Sequence, residues 1–257
     1  MKLFNFRTEK IRGYVYSASD DDEQFRNAQI GDLIINKDKK PPWIIVYHSL
    51  DTVSITKWPG KLFEAEVLNL SKEKSLNKGL VKNVWYTRTS GVRILRELSA
   101  DILFGRNGTL ISQIIDRTRN ITEQEVISLA EIEANEAREI FSKAWGNWIA
   151  LTNKDCPYPG EGHCDTIEVI SKNQSYGSPI NKGLSVIASQ INIRAREILG
   201  DKAFTEDEGG ELNLIPVWAK ACERLLHAGM SYESEGLLSE SEKEILSFPY
   251  KKVFGKY

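Results

Sequence analysis

Cysteine, methionine and long apolar runs are all scarce in this chain of 257 residues. Three cysteines are too few for a scaffold held by disulfides, so we expect a protein of the reducing cytoplasm. The longest purely apolar run, at 43–47, is far too short to cross a bilayer, and we expect no membrane partner. Residues 1–7 lack the apolar segment of a secretory signal.

A large excess of charge of one sign is also missing. The 34 Lys and Arg and 36 Asp and Glu leave a formal charge of −2, which excludes a generally basic nucleic-acid coat. The charge is unevenly spread, however: residues 1–104 hold 17 basic and 13 acidic residues, and residues 105–257 hold 17 and 23. The basic residues of the first part alternate with Trp43, Trp58 and Trp85. Because phosphate contact and base stacking need that mixture, nucleic-acid binding through the basic N-terminal half is one alternative function.

The common catalytic and nucleotide-binding motifs do not occur in this sequence. It contains no G-x-x-x-x-G-K-[ST], no G-x-G-x-x-G, no G-x-S-x-G and no H-E-x-x-H. Our leading hypothesis is therefore an accessory protein that acts by binding a protein or a small ligand, without a conventional catalytic motif.

The first hundred residues have the apolar pattern of a sheet. Short runs rich in β-branched and aromatic residues predict about six strands, at 11–16, 31–35, 43–47, 61–68, 84–87 and 92–95. The strand at 43–47 is apolar throughout, which predicts burial on both faces. The last two strands are expected to pair across a turn at Ser90-Gly91.

After Gly105 the apolar residues recur at helical spacing. A capping box at Thr122 and Glu125 predicts the start of a long helix that reaches Trp148. Pro179 is expected at the first position of the next helix, where its missing N–H costs nothing, and Gly200 after its last.

The remaining sequence predicts two more helices. One is expected from about Leu214 to Ala228, with Gly229 ending it, and a second capping box at Ser239 predicts a short final helix. The polar segment 201–211, between the helix that ends before Gly200 and the helix that begins near Leu214, is expected to be a loop. The whole pattern predicts an α+β protein: a small, mostly antiparallel β unit at 1–104, and four to five helices at 105–257 that pack on themselves or on the sheet.

Three segments at the junction follow one another in a distinctive order: VRILRELS at 92–99, ILFGRNG at 102–108 and ITEQEV at 121–126. They resemble a set of uncharacterised bacterial and phage proteins, in which an RELP-like strand end leads into FGPNG, an apolar helix and LTEEEV. The C-terminal segment at 249–255 is similar to the PW..V.G tail of those proteins. Arg106 stands where their usual proline would be. The resemblance implies this architecture and a bacterial or phage origin, and it supplies no catalytic residue.

Residues 47–49, Tyr-His-Ser, place a base and a hydroxyl at the end of the strongest predicted strand. NAD-using ADP-ribosyl transferases combine a strand-borne His or Arg, a hydroxyl residue and a late Glu in a small β fold. The corresponding residues of this chain are His48 and Ser49, with Glu64 or Glu66, and, against the cofactor, Tyr16 and Tyr47. Such a transferase is the alternative function. The two glutamates are equally explained as the solvated face of an alternating strand, with Phe63, Ala65 and Val67 turned inward.

A second alternative concerns Cys156, His163 and Cys164, which lie in one turn-rich loop. Thiolate and imidazole are ligands that zinc prefers, so the loop predicts a zinc-stapled module. The spacing C-x₆-H-C differs from the usual C-x₂-C pairs, and a closed site needs a fourth ligand. Asp165 is adjacent, whereas Cys222 and His227 lie five residues apart on a predicted helix, too far round to share a face cleanly. An exposed loop with reduced thiols explains the same residues.

Overall fold

A computed structural model describes residues 10–18, 23–36, 43–68, 81–82, 85–152, 179–233 and 236–255. Internal contacts divide the chain into two units, Met1–Ala100 and Asp101–Tyr257. The first contains an antiparallel sheet and the second contains mostly helices, and we call them the β unit and the helical unit. The predicted α+β fold is confirmed, because the change from strand to helix follows the change in apolar period.

The described part of the β unit contains seven strands, which form one antiparallel sheet in the order β2-β7-β4-β1-β3-β6-β5. They are β1 (Arg12–Ala18), β2 (Leu33–Ile35), β3 (Ile44–Tyr47), β4 (Gly60–Val67), β5 (Val81–Lys82), β6 (Tyr86–Thr89) and β7 (Gly91–Leu98). A short helix, α1 (Glu23–Arg26), precedes β2. Six of these strands correspond to the six that the sequence predicted, and the two-residue strand β5 is additional.

The sheet is strongly curved, because β6 and β7 are joined through the single residue Ser90. In the described sheet β6 pairs with β3, and β7 pairs with β4 and β2, so the predicted hairpin between β6 and β7 is wrong. Only Ser90 separates β6 from β7 in the chain, although three strands lie between them in the sheet. Neighbouring strands are about 4.8 Å apart, whereas two residues of chain span at most about 7 Å. The sheet must therefore curve until β6 and β7, each next to an edge strand, approach each other at Ser90.

One face of this sheet carries the apolar core of the β unit. Phe25 of α1 packs against Phe63 of β4, with their ring centroids 5.9 Å apart. The other core residues alternate along the strands or follow α1, and they are Val15, Ala28, Ile44, Val46, Ala65, Val67, Val92 and Ile94. In β3 the residues between these, Ile45 and Tyr47, are only half-buried, so the predicted burial of that strand on both faces is wrong. We call the opposite side of the sheet the polar face.

The helical unit contains six helices within its described residues. They are α2 (Gly108–Arg119), α3 (Glu123–Glu131), α4 (Asn135–Thr152), α5 (Pro179–Leu199), α6 (Pro216–Glu233) and α7 (Glu240–Phe254). Helix α6 is central, because it contacts the other five. Between α5 and α6 the chain forms a hairpin of β8 (Phe204–Glu206) and β9 (Leu212–Leu214), where the sequence predicted only a loop. In the part of the chain that is described, no helix has both the length and the apolar character needed to cross a membrane.

The predicted helix starts are confirmed, because each depends on residues close in sequence. In the first capping box the Thr122 hydroxyl accepts the Glu125 N–H, and the Glu125 carboxylate accepts the Thr122 N–H at 2.8 Å. The Ser239 box at the start of α7 has the same geometry. Pro179 opens α5, and Gly200 follows its last residue with a positive φ of 63°.

The long helix predicted from Thr122 to Trp148 is wrong, since it breaks between α3 and α4. Ile132 leaves the helical conformation with ψ of 118°, although residues 123–135 around the break contain neither glycine nor proline. The Ile132 carbonyl, freed from the helix, accepts a hydrogen bond at 3.3 Å from Nε of the buried Arg224 in α6. The break is thus supported by a residue 92 positions away, which no local pattern can reveal.

Gly229 lies inside α6, so the prediction that it ends this helix is wrong. A Cβ at this position would lie 2.8 Å from Cδ1 of Ile187 and 3.1 Å from Cδ2 of Leu184, both on α5. Glycine is needed here because it lets α6 approach α5 closely, and the left-handed conformation of a helix end is not involved.

Candidate functional site

The two predicted catalytic glutamates lie side by side on the polar face of β4, and both form ion pairs. Glu64 accepts a hydrogen bond from Nε of Arg96, on the neighbouring strand β7. Glu66 accepts from Nζ of Lys10 at 3.1 Å and from Nε of Arg12 at 3.2 Å. These hydrogen bonds, led by that from Lys10, lower the pKa of Glu66. Phe63, Ala65 and Val67 lie in the core as the alternation predicted, so this arrangement is that of a charged outer strand face.

His48 lies toward the opposite side of the sheet. Its Nε2 is 2.9 Å from Oγ1 of Thr87, a fully buried residue paired with Val46 of the apolar core. Strand β1 also separates β3, which precedes His48, from β4. The structure therefore does not bring His48 together with Glu64 and Glu66. Ser49 caps a single 3-10 turn, Leu50–Thr52, where its carbonyl accepts the Thr52 hydroxyl at 2.9 Å.

The two tyrosines predicted to contact a cofactor are held by the β unit itself. The Tyr16 hydroxyl donates to the Lys57 carbonyl at 2.6 Å. Its ring lies so close to Gly60 that a Cβ there would be 2.3 Å from the hydroxyl oxygen. Burial raises the pKa of Tyr16. Burial also raises the pKa of Tyr47, although the hydrogen bonds of Tyr47 with Ser54 act in the other direction. Both hydroxyls therefore stay protonated at neutral pH, and that of Tyr16 anchors the turn before β4.

Two other predicted sites fall largely outside the described residues. Cys156, His163 and Cys164 all do, so the zinc hypothesis stays a prediction. Among the residues that are described, no three His, Cys, Asp or Glu side chains are placed to hold a metal ion. Much of the basic N-terminal set is also outside, namely Lys37, Lys39, Lys40, Lys72, Lys74 and Lys78. Of those inside, Arg88 stacks on Trp43 with its guanidinium carbon 5.7 Å from the ring centroid. Nucleic-acid binding likewise stays a prediction.

A cleft of about 510 Å³ opens within the helical unit. Residues of α4, α5, α6 and β9 surround it, so its walls come from four separate stretches of the chain. The apolar part of the wall consists of Phe141, Leu212, Leu214, Ala219 and Leu226. The polar part consists of Arg138, Asn192, Asn213, Cys222, Glu223 and His227.

An ion cluster forms one side of the cleft. Arg138 of α4 donates to both carboxylate oxygens of Glu223 on α6, from Nε at 2.7 Å and from Nη2 at 3.2 Å. Arg224, whose side chain is buried, places Nη1 3.0 Å from Oε2 of the same carboxylate. The hydrogen bond from Arg138 and the positive charge of Arg224 lower the pKa of Glu223, which is therefore ionised at neutral pH.

His227 lies one helical turn after Glu223 and is only 1% exposed. Its Nε2 is 3.9 Å from Oε1 of Glu223, and its ring centroid is 5.1 Å from that of Phe141. Burial lowers the pKa of His227 to about 4, although the Glu223 charge acts in the other direction. The imidazole is thus neutral at pH 7. The carboxylate beside Nε2 favours the tautomer with the proton on Nε2, which leaves Nδ1 as an acceptor with no partner among the described residues.

Cys222 is the third titratable group of the α6 wall. Burial, and then the negative charge of Glu223, raises the pKa of the thiol to about 12. The thiol therefore remains protonated at neutral pH and is a poor nucleophile.

From the sequence, Cys222 and His227 were considered only as zinc ligands, and the ion pair of Arg138 with Glu223 was not predicted. The usable signal was the segment CERLLH at 222–227, which places ionisable residues between buried apolar ones on a helix. The pairing partner Arg138 is 85 residues away, so the ion pair itself had no local signature.

In this cleft, whose walls come from three helices and a strand, apolar surface and ionisable side chains converge. Its lining carries the Arg138 guanidinium, the Glu223 carboxylate and the neutral imidazole of His227, and the buried Arg224 contacts Glu223 without lining the cleft. Comparison of the chain with protein-family models, with curated proteins and with solved structures finds no match that would assign it to a family.

Proposed function

We propose that this protein acts by binding a small organic ligand in the cleft of the helical unit. The observation that carries the proposal is the cleft itself, an open concavity between α4, α5, α6 and β9. Its volume of about 510 Å³ falls within the range of roughly 300–1,000 Å³ that is typical of small-molecule sites. Such sites combine apolar surface with polar groups that orient the ligand, and this wall offers five apolar and six polar residues.

The apolar wall supplies a general attraction. Phe141 and Leu226 line the cleft while half-buried, and Ala219 lines it while exposed, so a ligand would cover apolar surface that water now contacts. Burial of each 100 Å² of apolar surface is worth roughly 2.5 kcal/mol. This term favours association but does not select a ligand, so selection falls to the polar groups.

The same observations favour the cleft over the β unit as the functional centre. The transferase hypothesis needs His48 beside Glu64 or Glu66, whereas these residues lie toward opposite faces of the sheet. In the helical unit, by contrast, Arg138, Glu223 and His227 come from two helices to a single wall. Binding without covalent chemistry was also the leading hypothesis from the sequence.

The proposal is tested by a fragment screen against the full chain and two tryptophan variants. The fragments are single aromatic rings that carry one anionic, neutral or cationic group, in equal numbers, and binding is detected by ligand-observed NMR. Ala219→Trp adds bulk inside the cleft at an exposed position of α6. Ala150→Trp adds the same bulk at an exposed position of α4 that does not line the cleft, and serves as the matched control.

Fragments should bind the unmodified protein and Ala150→Trp, and Ala219→Trp should abolish that binding while its circular dichroism spectrum stays unchanged. Binding that survives Ala219→Trp, or no binding to the unmodified protein, would show that the cleft is not a ligand site.

A further inference from the structure

Arg138 and Arg224 both contact Glu223, but only Arg138 lines the cleft, because the Arg224 side chain is buried. Arg138 and Glu223 therefore balance each other within the lining, and His227 adds no charge at neutral pH, because burial keeps it unprotonated. The Glu223 carboxylate already contacts two guanidinium groups, so a charged ligand meets the Arg138 guanidinium as the partner that is still open.

Asp207, between β8 and β9, is a further acidic residue beside this wall. Its carboxylate accepts hydrogen bonds from the backbone N–H groups of Gly209 and Glu211 and from the side chain of Asn213, which lines the cleft. These bonds lower the pKa of Asp207. Asp207, like Arg224, does not itself line the cleft.

Arg138 has the geometry to receive a second carboxylate. Its guanidinium carries five N–H donors, and Glu223 occupies the edge formed by Nε and Nη2. The edge formed by Nη1 and Nη2 makes no hydrogen bond to a described residue, and the Arg138 side chain is 69% exposed. A planar guanidinium that is already held on one edge is preorganised to bind a carboxylate in bidentate fashion on the other.

We infer that the ligand of this cleft is a small monocarboxylate with an apolar body. The carboxylate binds the free edge of the Arg138 guanidinium, and the apolar body lies against Phe141, Ala219 and Leu226. Glu223 then acts as a positioning residue, since it fixes the orientation of Arg138 from the other edge. A cationic ligand would have to compete with both guanidinium groups for the Glu223 carboxylate. This inference rests on the proposed function and adds to it the chemical class of the ligand.

The test uses three probes of nearly equal size that differ in charge: phenylacetate, 2-phenylacetamide and phenethylammonium. Each is titrated into the full chain at neutral pH and low ionic strength, and affinity is measured by isothermal calorimetry or NMR shifts. Because a charge-assisted hydrogen-bonded pair contributes a factor on the order of tenfold or more, we expect phenylacetate to bind at least tenfold more tightly than either other probe.

Arg138→Gln removes the guanidinium and should weaken phenylacetate binding on the order of tenfold, with little effect on phenylacetamide. Arg119→Gln is the matched control: it changes the net charge equally, at an exposed residue of α2 that pairs with Asp116 and does not line the cleft. Arg138→Lys retains the charge but lacks the bidentate edge, and should bind phenylacetate with intermediate affinity. Thermal unfolding of each variant verifies that the fold is retained.

The outcomes separate the two proposals. If all three probes bind within twofold of one another and Ala219→Trp blocks them, the ligand class is wrong while the proposed function stands. Equal phenylacetate binding by Arg138→Gln and Arg119→Gln would overturn the placement of the carboxylate. If none of the probes binds although the fragment screen finds other ligands for the cleft, the monocarboxylate inference fails alone. If the screen also finds none, the proposed function fails with it.

Discussion

The buried imidazole of His227 should make the helical unit sensitive to mild acid. It is 1% exposed and faces Glu223 and Arg224 on its own helix, Arg138 on α4 and the ring of Phe141. Burial, with help from the two arginines and against the effect of Glu223, lowers the pKa of His227 from 6.5 to about 4. The folded protein therefore holds this side chain neutral over a pH range in which the unfolded chain protonates it.

The sign and size of the effect follow from proton linkage. Between pH 6.5 and about 4 the unfolded chain binds one more proton at His227 than the folded chain, so the free energy of unfolding falls as the pH falls. The contribution is fully present above pH 6.5 and is lost as the pH approaches 4. A shift of this size corresponds to about 3 kcal/mol in total, of which about 2 kcal/mol is lost between roughly pH 7.5 and pH 5.

The assay compares the unmodified protein with His227→Gln. Urea unfolding is followed by far-ultraviolet circular dichroism, which reports on the helices, at about pH 7.5 and about pH 5. Glutamine does not titrate, so the variant should lose about 2 kcal/mol less stability between the two pH values, whatever its stability at neutral pH. The change in free energy of unfolding between the two pH values is measured for each protein, and one change is subtracted from the other. This subtraction removes the contribution of the carboxylates, which both proteins share.

If the free energy of unfolding falls by the same amount in both proteins on acidification, within about 0.5 kcal/mol, the prediction is refuted. That result would mean that the imidazole accepts a proton inside the folded unit. A hydrogen bond to Nδ1 in solution, or a closer approach of the Glu223 carboxylate to Nε2, would then have to balance the effect of burial.

Two further predictions concern stability. Gly13→Ala should destabilise the β unit by about 3 kcal/mol, because a Cβ would lie 2.1 Å from the Tyr47 carbonyl oxygen. Gly146→Ala in α4, where nothing lies within 4 Å, should stabilise the helical unit by about 1 kcal/mol, and thermal unfolding that showed the same sign for both would contradict this. Thr122→Ala should cost about 1 kcal/mol through loss of the cap on the Glu125 N–H, whereas Ser128→Ala on the same helix should stay within about 0.5 kcal/mol. Urea unfolding measures both, and equal effects would argue against the cap.

Strand and helix positions were largely predictable because the forces that set them act over a few residues. The Thr122 capping box needs only a hydroxyl and a carboxylate three positions apart, and Pro179 needs only the start of a helix. The alternation of β4 likewise predicted that Phe63 and Ala65 enter the core while Glu64 stays outside. For such elements the sequence contains both partners of the interaction within one turn or one strand.

Elements that depend on distant partners were mispredicted. Ile132 ends a helix without any local helix-breaking residue, and its carbonyl accepts a hydrogen bond from Arg224. Gly229 was predicted to end a helix, but it lies inside one, where a Cβ would come within 2.8 Å of Ile187. The β6–β7 hairpin looked favourable locally, but each strand pairs elsewhere and the sheet curls around Ser90 instead. Local propensity was outweighed in each case by packing that appears only after the chain has folded.

The same distinction separates the two candidate sites. The primary structure determined the α+β class, most element boundaries and the lack of a conventional catalytic motif, because periodicity and short motifs are local properties. Only the tertiary structure decided that His48 and the strand glutamates face apart, and that Arg138 meets Glu223 beside a buried His227. The cleft wall is assembled from residues far apart in sequence, and the pKa values of its groups depend on how tertiary packing buries them and places charges beside them.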